Sequence, residues 1–522
     1  MKPGPCRLIV LTDTKLDDLL AGVRRHVDLR AGPATRCLRS YYDSFDWLLY
    51  NAGTVIYRQT VGKKSILHWE GLGHERPGHR LAVSETPRFA TDLPAGRFRD
   101  DLTPALDLRT LLPLADVRYR HRVFNMLDAN EKTVARLVVE DNATVSNTTP
   151  GKRAALRATL HVLPVKGYDA AYKALCAILQ EQPGLAPADD HPLLDALQVL
   201  GRTPNDTTPK QDPVLNPAMR ADAAVKQILQ ALFDTIKSNE PGVREDLDSE
   251  FLHDYRVAVR RTRSVLGQLK MILPPEILAH YRPEFKWLGG VTGPTRDLDV
   301  YLIKFDKYQA WLPPSVQEDL IPLHHFLRDH QKLEHARLVE AFDSPRYRAL
   351  IKGWHDFLET PVPETPPTPE MARPVLQVAS ERIWKAYKKV LNEGNAIIAD
   401  PDTPAEKLHQ LRITCKKLRY LLELFRSLYP AKTIRKLILA LKQLQDNLGD
   451  FNDCEVQQDT LQQFALQMMD EGEVPTETFL AMGRLEARLE MLQHETREAF
   501  TERFTRFAAP KNQRRFKKLF KP

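Results

Sequence analysis

The sequence of 522 residues lacks the marks of several protein classes. Its five cysteines form no C-x-x-C pair, which argues against a disulfide scaffold and a zinc site, so we expect reduced, mostly structural thiols. No run of 18 apolar residues occurs and the first residues lack the core of a signal peptide, so we expect a cytoplasmic protein without a membrane partner. P-loop, G-x-S-x-G and H-E-x-x-H motifs are missing, and nothing indicates a nucleophile or a cofactor.

An excess of one charge is also missing. Residues 1–218 hold 29 basic and 25 acidic residues, and residues 219–522 hold 46 and 43, within a formal net charge of +7. Only local clusters of charge can therefore indicate a ligand. The length allows about two to four domains with sizeable cores.

One such cluster occurs twice, 156 residues apart. The two copies read His253-Asp-Tyr-Arg-Val-Ala-Val-Arg-Arg-Thr-Arg-Ser-Val-Leu266 and His409-Gln-Leu-Arg-Ile-Thr-Cys-Lys-Lys-Leu-Arg-Tyr-Leu-Leu422. The same offset joins Lys286 to Lys442 and Asp297 to Asp453, so the match covers two helices and their connection. A duplication that keeps cations as well as core residues indicates two half-sites facing one extended anionic ligand.

The spacing of the cations places them on one helical face. They follow i, i+3, i+7 and i+10 in His253, Arg256, Arg260 and Arg263, and again in His409, Arg412, Lys416 and Arg419. The neighbouring face is mostly apolar and can anchor each helix through Tyr255, Val259, Thr262 and Leu266, and through Leu411, Cys415, Leu418 and Leu422. The alternative is a solvated basic face with surface ion pairs, but carboxylates three or four residues away are few and the pattern is repeated.

Strand signals dominate residues 1–182, which predicts an α+β domain built on an antiparallel sheet or barrel. The predicted elements are strands at Arg7–Leu11, Val55–Gln59, Ser65–Trp69, Val117–Met126, Thr133–Val139 and Ala155–Leu163, and a helix at Asp169–Gln180. Residues 183–218 are rich in Pro, Asn and Thr and are interpreted as a linker, with a short helix at Leu193–Leu200.

Helical periodicity dominates from Arg220 onward and predicts an all-α domain over 219–510. Helices are expected near 220–238, 248–271, 275–290, 296–309, 315–341, 375–396, 404–428, 431–447, 452–470 and 475–508. A Pro-rich break at 360–374 separates halves at about 219–359 and 375–510, which predicts two bundles related by a pseudo-twofold axis, with the basic helices facing a shared cleft. Residues 511–522 are read as a basic tail, either solvated or in contact with phosphate.

Two turns belong to the repeat. Gly293 and Gly449 each follow a predicted helix, and Asp297 and Asp453 fall in the first turn of the next one. The pattern favours glycine C-caps and acids that stabilise the helix N-terminus. The alternative is that each acid orients a nearby Arg or Lys toward a ligand.

The repeated H-x-x-R-x-x-x-[RK]-[RK]-x-R motif and the later K-x-L-x(4)-G-x(3)-D turn resemble the CHAD family, the conserved histidine α-helical domain, over about residues 219–510. The resemblance implies a pseudo-symmetric helical domain whose basic surface binds inorganic polyphosphate, often at polyphosphate granules. The positions expected to bind polyphosphate are His253, Arg256, Arg260, Arg261, Arg263, Lys286, His409, Arg412, Lys416, Lys417, Arg419 and Lys442.

Residues 1–182 resemble a CYTH domain, the tunnel fold of triphosphate-processing enzymes. The matching residues are Tyr41-Tyr-Asp43-Ser-Phe-Asp46-Trp-Leu48, Gly53, Arg58, Arg118-Tyr-Arg120-His-Arg122 and Glu140-Asp141. The E-x-E-x-K strand of active members is replaced by Arg7–Leu11, and Thr159–Leu163 also lacks glutamates, so we expect a catalytically silent domain without a metal. Arg58, Arg118, Arg120 and Arg122 either retain anion affinity or are ordinary exposed strand cations.

These features predict noncatalytic polyphosphate binding, because Arg and Lys neutralise phosphates and release counterions. The two histidines either donate to phosphate or bond between helices. Nucleic acid is a less expected ligand, because Tyr255 and Tyr420 are the only aromatic residues in the two motifs. A metal-dependent triphosphatase and a scaffold for granule-associated proteins remain as further alternatives.

Overall fold

The computed structural model of the chain describes residues 6–73, 78–146, 153–188, 191–207, 213–400 and 402–522. The chain divides into two compact units, residues 1–208 and 209–522. The first is built on an antiparallel sheet and the second is helical. The predicted fold class is therefore confirmed.

The sheet unit has strands that pair in the order β11-β1-β10-β8-β7-β3-β4-β5-β6, with β2 on β7 and β9 on β8. The strands are β1 Arg7–Val10, β2 Leu29–Ala31, β3 Thr35–Asp43, β4 Thr54–Val61, β5 Lys64–Gly71, β6 His79–Ala82, β7 Leu112–Leu127, β8 Thr133–Ser146, β9 Ala154–Ala155, β10 Thr159–Pro164 and β11 Leu185–Pro187. The strands β2, β3, β6 and β11 were not predicted, and β9 and β10 were predicted as one strand. The central position of β3, between β7 and β4, comes from long-range pairing that local patterns do not show.

Helices cover both faces of this sheet. They are α1 Leu16–Arg24, α2 Leu48–Asn51, α3 Arg97–Leu106, α4 Asp169–Gln180 and α5 Pro192–Val199. One core cluster joins α1 and α4 to Phe124 and Leu160, and another joins α3 to Ile56 and Leu67. Tyr41 and Tyr119 lie on the opposite face of the sheet and pack with Leu197 of α5.

Part of the predicted linker belongs to the sheet unit. β11 pairs with β1, and α5 buries Leu193, Ala196 and Leu197 against the sheet. The predicted end of the first domain at residue 182 was therefore wrong, because apolar residues beyond it complete the core. The short helix predicted at Leu193–Leu200 is confirmed, and residues 189–190 and 208–212 of the predicted linker lie outside the described residues.

The helical unit contains all the expected segments and some further helices, and two of the expected segments differ from their prediction. The helices are α6 Ala221–Arg244, α7 Ser249–Gln268, α8 Pro275–Val291, α9 Gly293–Ile303, α10 Phe305–Ala310, α11 Ile321–Asp343, α12 Pro345–Glu359, α13 Pro369–Ala372, α14 Val375–Ala399, α15 Ala405–Leu424, α16 Ala431–Glu471, α17 Thr476–Phe507 and α18 Pro510–Phe520. The helix α12 was not predicted. Within the described part of the chain, no helix is long and apolar enough to cross a membrane.

The first difference is that the predicted helices 431–447 and 452–470 are one helix, α16. The first copy breaks between α8 and α9, where Pro294 lacks the backbone N–H that would continue the hydrogen-bond ladder. The corresponding residue in the second copy is Asp450, which keeps that donor. Gly449 therefore lies inside a helix, and its predicted capping role was wrong.

The capping prediction for the two acids was wrong as well. The helix α9 begins at Gly293 and has no acid in its first turn, because Asp297 is its fifth residue. Asp453 lies in the interior of α16. Both acids are therefore outside the turn in which a helix dipole is felt.

The second difference is the carboxyl terminus, predicted as a tail. It forms α18, and the ring of Phe516 stacks on Tyr387 of α14 with centroids 3.8 Å apart. Phe520 contacts Tyr429 edge-on. Phenylalanines four residues apart give this basic segment an apolar face, so the prediction of a solvated tail was wrong.

We expect Phe516→Ala to destabilise the helical unit by about 3–5 kcal/mol, because the buried ring leaves a cavity. Lys517→Ala, on the exposed side of the same helix, is the matched control and should change stability by less than about 0.5 kcal/mol. Chemical denaturation of both variants measures the difference. Equal stabilities would contradict the packing of α18.

Candidate anion-binding site

The apolar faces of α7 and α15 anchor the two basic helices, as the sequence predicted. All eight residues of the two predicted stripes are buried: Tyr255, Val259, Thr262, Leu266, Leu411, Cys415, Leu418 and Leu422. The Tyr255 hydroxyl also makes a hydrogen bond of 3.0 Å with that of Tyr347 on α12. The buried face thus fixes the orientation of each helix, and this determines which way its cations point.

The two basic helices meet near their carboxyl-terminal halves. Nε2 of Gln268 donates to the carbonyl oxygen of Lys417 at 3.3 Å. Nη2 of Arg261 lies 2.9 Å from Oε2 of Glu423. Cations of both copies are therefore brought to one surface, as the duplication predicted.

We define the first groove as the cavity of about 670 Å³ at this meeting point. Its walls include Leu266, Gly267, Ile413 and Tyr420. Its cations are Arg260, Arg263, Arg282, Lys286, Lys416 and Lys417, drawn from both copies. No acidic residue is among the described residues that line it.

We define the second groove as the cavity of about 640 Å³ that shares Arg260 with the first. It also exposes His253, Arg256 and Arg296. Its charge is more balanced, because Asp297, Asp453 and Glu334 contribute to its wall. The two grooves together give an extended polar path along α7.

Arg256 and Arg412, equivalent in the repeat, are held by the protein. Arg256 donates from Nη1 to the carbonyl oxygen of Gly289 at 3.2 Å and to Oγ1 of Thr292 at 2.9 Å. Arg412 donates from Nη2 to Oδ1 of Asp453 at 3.3 Å. Burial, and then the nearby guanidinium groups, lower the pKa of Arg256, although the attraction of Asp297 opposes this.

The two histidines bond between helices through equivalent partners. Nδ1 of His253 lies 3.0 Å from Nη2 of Arg296, and Nδ1 of His409 lies 2.6 Å from Oδ1 of Asn452. A guanidinium can only donate, so Nδ1 of His253 accepts and its proton is on Nε2. Nδ1 of His253 is thus not available to donate to a phosphate.

Arg261 and Arg419 share one carboxylate. Oε1 of Glu423 accepts from Nε of Arg419 at 2.6 Å, and its Oε2 accepts from Arg261. The three side chains are 34%, 24% and 14% exposed for Arg419, Arg261 and Glu423. These two predicted cations are therefore partly neutralised by a carboxylate, whereas no acidic residue is among the described residues that line the first groove.

Lys416 lies where cations crowd one another. Burial, and then the charges of Arg412 and Arg260, lower its pKa from the ordinary 10.5 to about 8. Nε of Arg260 is buried with no hydrogen-bond partner among the described residues. A bound anion would offset the repulsion at Lys416 and could accept a hydrogen bond from Arg260.

The remaining lysines of the repeat are placed differently. Lys286 lines the first groove, but the equivalent Lys442 is exposed and lines neither groove. Arg282 lines the first groove and was missed by the sequence analysis, because its repeat equivalent is Ile438. A motif search finds only the cations that both copies keep.

The sheet unit has its own cavity of about 340 Å³, called the sheet cavity below. Its charged and polar residues include Arg7, Arg39, Tyr41, Tyr57, Glu70, Glu140, His161 and His191. Arg39 donates to both carboxylate oxygens of Glu140, at 3.2 and 2.8 Å, which holds the pKa of Glu140 low against the effect of burial. Burial lowers the pKa of His161 to about 4, so this imidazole is neutral at pH 7.

The four arginines predicted as secondary anion contacts are absent from that cavity. Arg118, Arg120 and Arg122 alternate with Val117 and Tyr119, so they lie on the opposite face of β7. Arg120 and Arg122 there form ion pairs with Asp141. Arg58 likewise lies on the face opposite Tyr57, so none of the four lines the sheet cavity.

The side chains that line the sheet cavity do not provide the ligand atoms needed by a metal ion of the kind that triphosphate chemistry uses. Mg²⁺ prefers carboxylate oxygens, yet both oxygens of Glu140 accept from Arg39. Among the described residues, no group of three or more His, Cys, Asp or Glu side chains is placed to hold a metal. The missing acids could be predicted from the sequence, but the pairing of Arg39 with Glu140 could not.

Comparison with known proteins finds similar structures for each unit. The CHAD domain from the plant Ricinus communis is 26% identical, with 56% of this chain and 94% of that chain covered and a TM-score of 0.47. PptA from Streptomyces chartreusis is 18% identical, with 55% and 100% covered and a TM-score of 0.42. A putative adenylyl cyclase from Hippeastrum, described as having a dominant triphosphatase activity, is 9% identical, with 38% and 97% covered and a TM-score of 0.26.

The search of curated proteins finds no match. The family model of the CHAD domain matches residues 227–462. That range contains α7 and α15 with both copies of the basic motif, and the two grooves lie mostly within it. Residues 227–462, in the helical unit, are therefore similar to the CHAD domain, as the two copies of the motif indicated.

Proposed function

We propose that the helical unit binds inorganic polyphosphate, without catalysis, in the first groove. The observation that carries the proposal is the composition of that groove, six cations and no acid among its described lining residues. Polyphosphate is a flexible chain with about one negative charge per residue, so it can follow a surface that both halves of the repeat build. Guanidinium groups add bidentate hydrogen bonds to its phosphate oxygens.

Electrostatic strain within the groove supports the same ligand. The lowered pKa of Lys416 reports repulsion from Arg412 and Arg260 as well as burial. A bound polyanion removes this repulsion, and each phosphate that is contacted releases condensed counterions. The affinity for polyphosphate should therefore fall steeply as salt concentration rises.

Nucleic acid is the competing polyanion. Binders of single strands usually stack bases on aromatic side chains that alternate with cations. Tyr420 is the one aromatic residue among the described residues that line the first groove. A ligand recognised by phosphates alone fits this wall better, which favours polyphosphate.

Cellular placement follows from the ligand. We propose a cytoplasmic protein that associates with polyphosphate granules and that can bring other granule proteins to the polymer. A pulldown that depends on added polyphosphate separates this scaffold role from simple binding.

The groove variant tests the proposal. It carries Arg260→Gln, Arg263→Gln, Lys416→Gln and Lys417→Gln, which removes four of the six cations of the first groove. Titration with long-chain polyphosphate at about 0.1 M salt should show at least about 100-fold weaker binding. The slope of log K against log salt concentration should fall by the equivalent of about three phosphate contacts. Wild-type protein should bind polyphosphate more tightly than single-stranded or duplex DNA.

A control variant keeps the same change in charge. It replaces four exposed cations that line neither groove, Lys385, Lys388, Arg484 and Arg503, with Gln. Its affinity should stay within about 3-fold of wild type, because long-range charge is screened. Equal losses in both variants, or a preference for DNA, would contradict the proposal.

The affinity should also depend on pH through Lys416. Its pKa of about 8 in the free protein means that it loses its charge as the pH rises through 8, and binding must then take up a proton. Because a polyanion can restore the pKa toward 10.5, we expect up to about 10-fold weaker binding at pH 9 than at pH 7. Lys416→Arg should remove most of this dependence, and an unchanged pH profile would show that Lys416 does not contact the ligand.

We also propose that the sheet unit has no metal-dependent triphosphatase activity. The support is the pairing of Glu140 with Arg39 and the neutral His161 beside it. Hydrolysis of tripolyphosphate with Mg²⁺ or Mn²⁺ should not exceed the rate without protein, and Glu140→Gln should leave it unchanged. Turnover that is lost in Glu140→Gln would establish the alternative function.

A further inference from the structure

The two halves of the duplicated site do not present their cations equally. The first groove receives Arg263 and Lys286 from the first copy. Their repeat equivalents, Arg419 and Lys442, line neither groove. A true twofold site would use both pairs, so some residue outside the motif breaks the symmetry.

That residue is Glu423. Its repeat equivalent, 156 positions earlier, is Gly267. Gly267 lines the first groove, and a Cβ atom added there would meet nothing within 4 Å. The first half-site is therefore open at the position where the second half-site carries a carboxylate.

The carboxylate of Glu423 lies between two guanidinium groups. One oxygen accepts from Arg419 of its own helix and the other from Arg261 of the opposite helix. The two donors come from both copies of the repeat, as the donors around the first groove do. The Glu423 side chain is 14% exposed, so losing both partners would leave a desolvated carboxylate.

We propose that Glu423 is an internal ligand that occupies the second half-site and restricts polyphosphate to the first groove. The inference rests on the proposed function and adds the residue that sets how many phosphates the protein contacts. A free phosphate cannot readily displace Glu423, because the carboxylate is tethered and its effective concentration is high. The protein thus binds a shorter stretch of polymer than its duplicated motif would allow.

Glu423→Gln tests this role, because glutamine keeps the shape of the side chain and removes its charge. We expect the variant to bind long-chain polyphosphate about 10-fold more tightly at 0.1 M salt, with a salt dependence steeper by about one to two contacts. Glu490→Gln is the control, since it makes the same charge change at an exposed position of α17 that lines neither groove. An affinity of Glu423→Gln within 2-fold of Glu490→Gln would overturn the inference.

A double-mutant cycle guards against an indirect effect on folding. Arg419→Gln should weaken binding by at most about 2-fold in the wild-type background and by about 10-fold in the Glu423→Gln background, where Arg419 is released to the ligand. Melting temperatures of the four proteins identify any loss of structure. Equal effects in the two backgrounds would overturn the role of Glu423 while leaving the first groove intact, whereas a wild type that does not bind polyphosphate would overturn both proposals.

Discussion

The structure of the helical unit depends on holding like charges together. Burial, and then the charges of neighbouring cations, raise the cost of keeping Arg256 and Lys416 ionised, and Arg260 acts on both of them. The apolar faces of α7 and α15 provide the opposing free energy, because they are packed into the interior along their whole length. The protein also satisfies the cations it does not need: Thr292 and Gly289 hold Arg256, and Asp453 holds Arg412. The cations of the first groove, in contrast, have no acidic residue among the described residues that line it with them.

Much of this could be predicted from the sequence because duplication is a strong signal. Helical periodicity identified the buried stripes, and the offset of 156 residues showed that two helices would share a surface. Features outside the repeat could not be predicted in this way. Arg282 has an aliphatic equivalent, and Glu423 has a glycine equivalent, so both lack the signal that revealed the other residues. The continuous helix α16 was missed because one proline, present only in the first copy, decides between a break and a continued hydrogen-bond ladder.

The sheet unit shows the limit of strand patterns. Alternation along β7 places Arg118, Arg120 and Arg122 on one face of the strand, but the sequence alone does not say which face borders the cavity. That choice depends on the pairing of β3 with β7, which brings Arg39 beside Glu140, and on α5, which lay in the predicted linker. The acids and cations that remain inside largely neutralise one another. A polyanion would gain little there compared with the first groove, so the two units differ in chemistry as well as in fold.

The most direct test of the account is a crystal structure of the chain with bound long-chain polyphosphate. We expect phosphate groups within hydrogen-bond distance of Arg260, Arg263 and Lys416, while Glu423 still bridges Arg261 and Arg419. Phosphates bound in the sheet cavity or along α18, with the first groove empty, would contradict it.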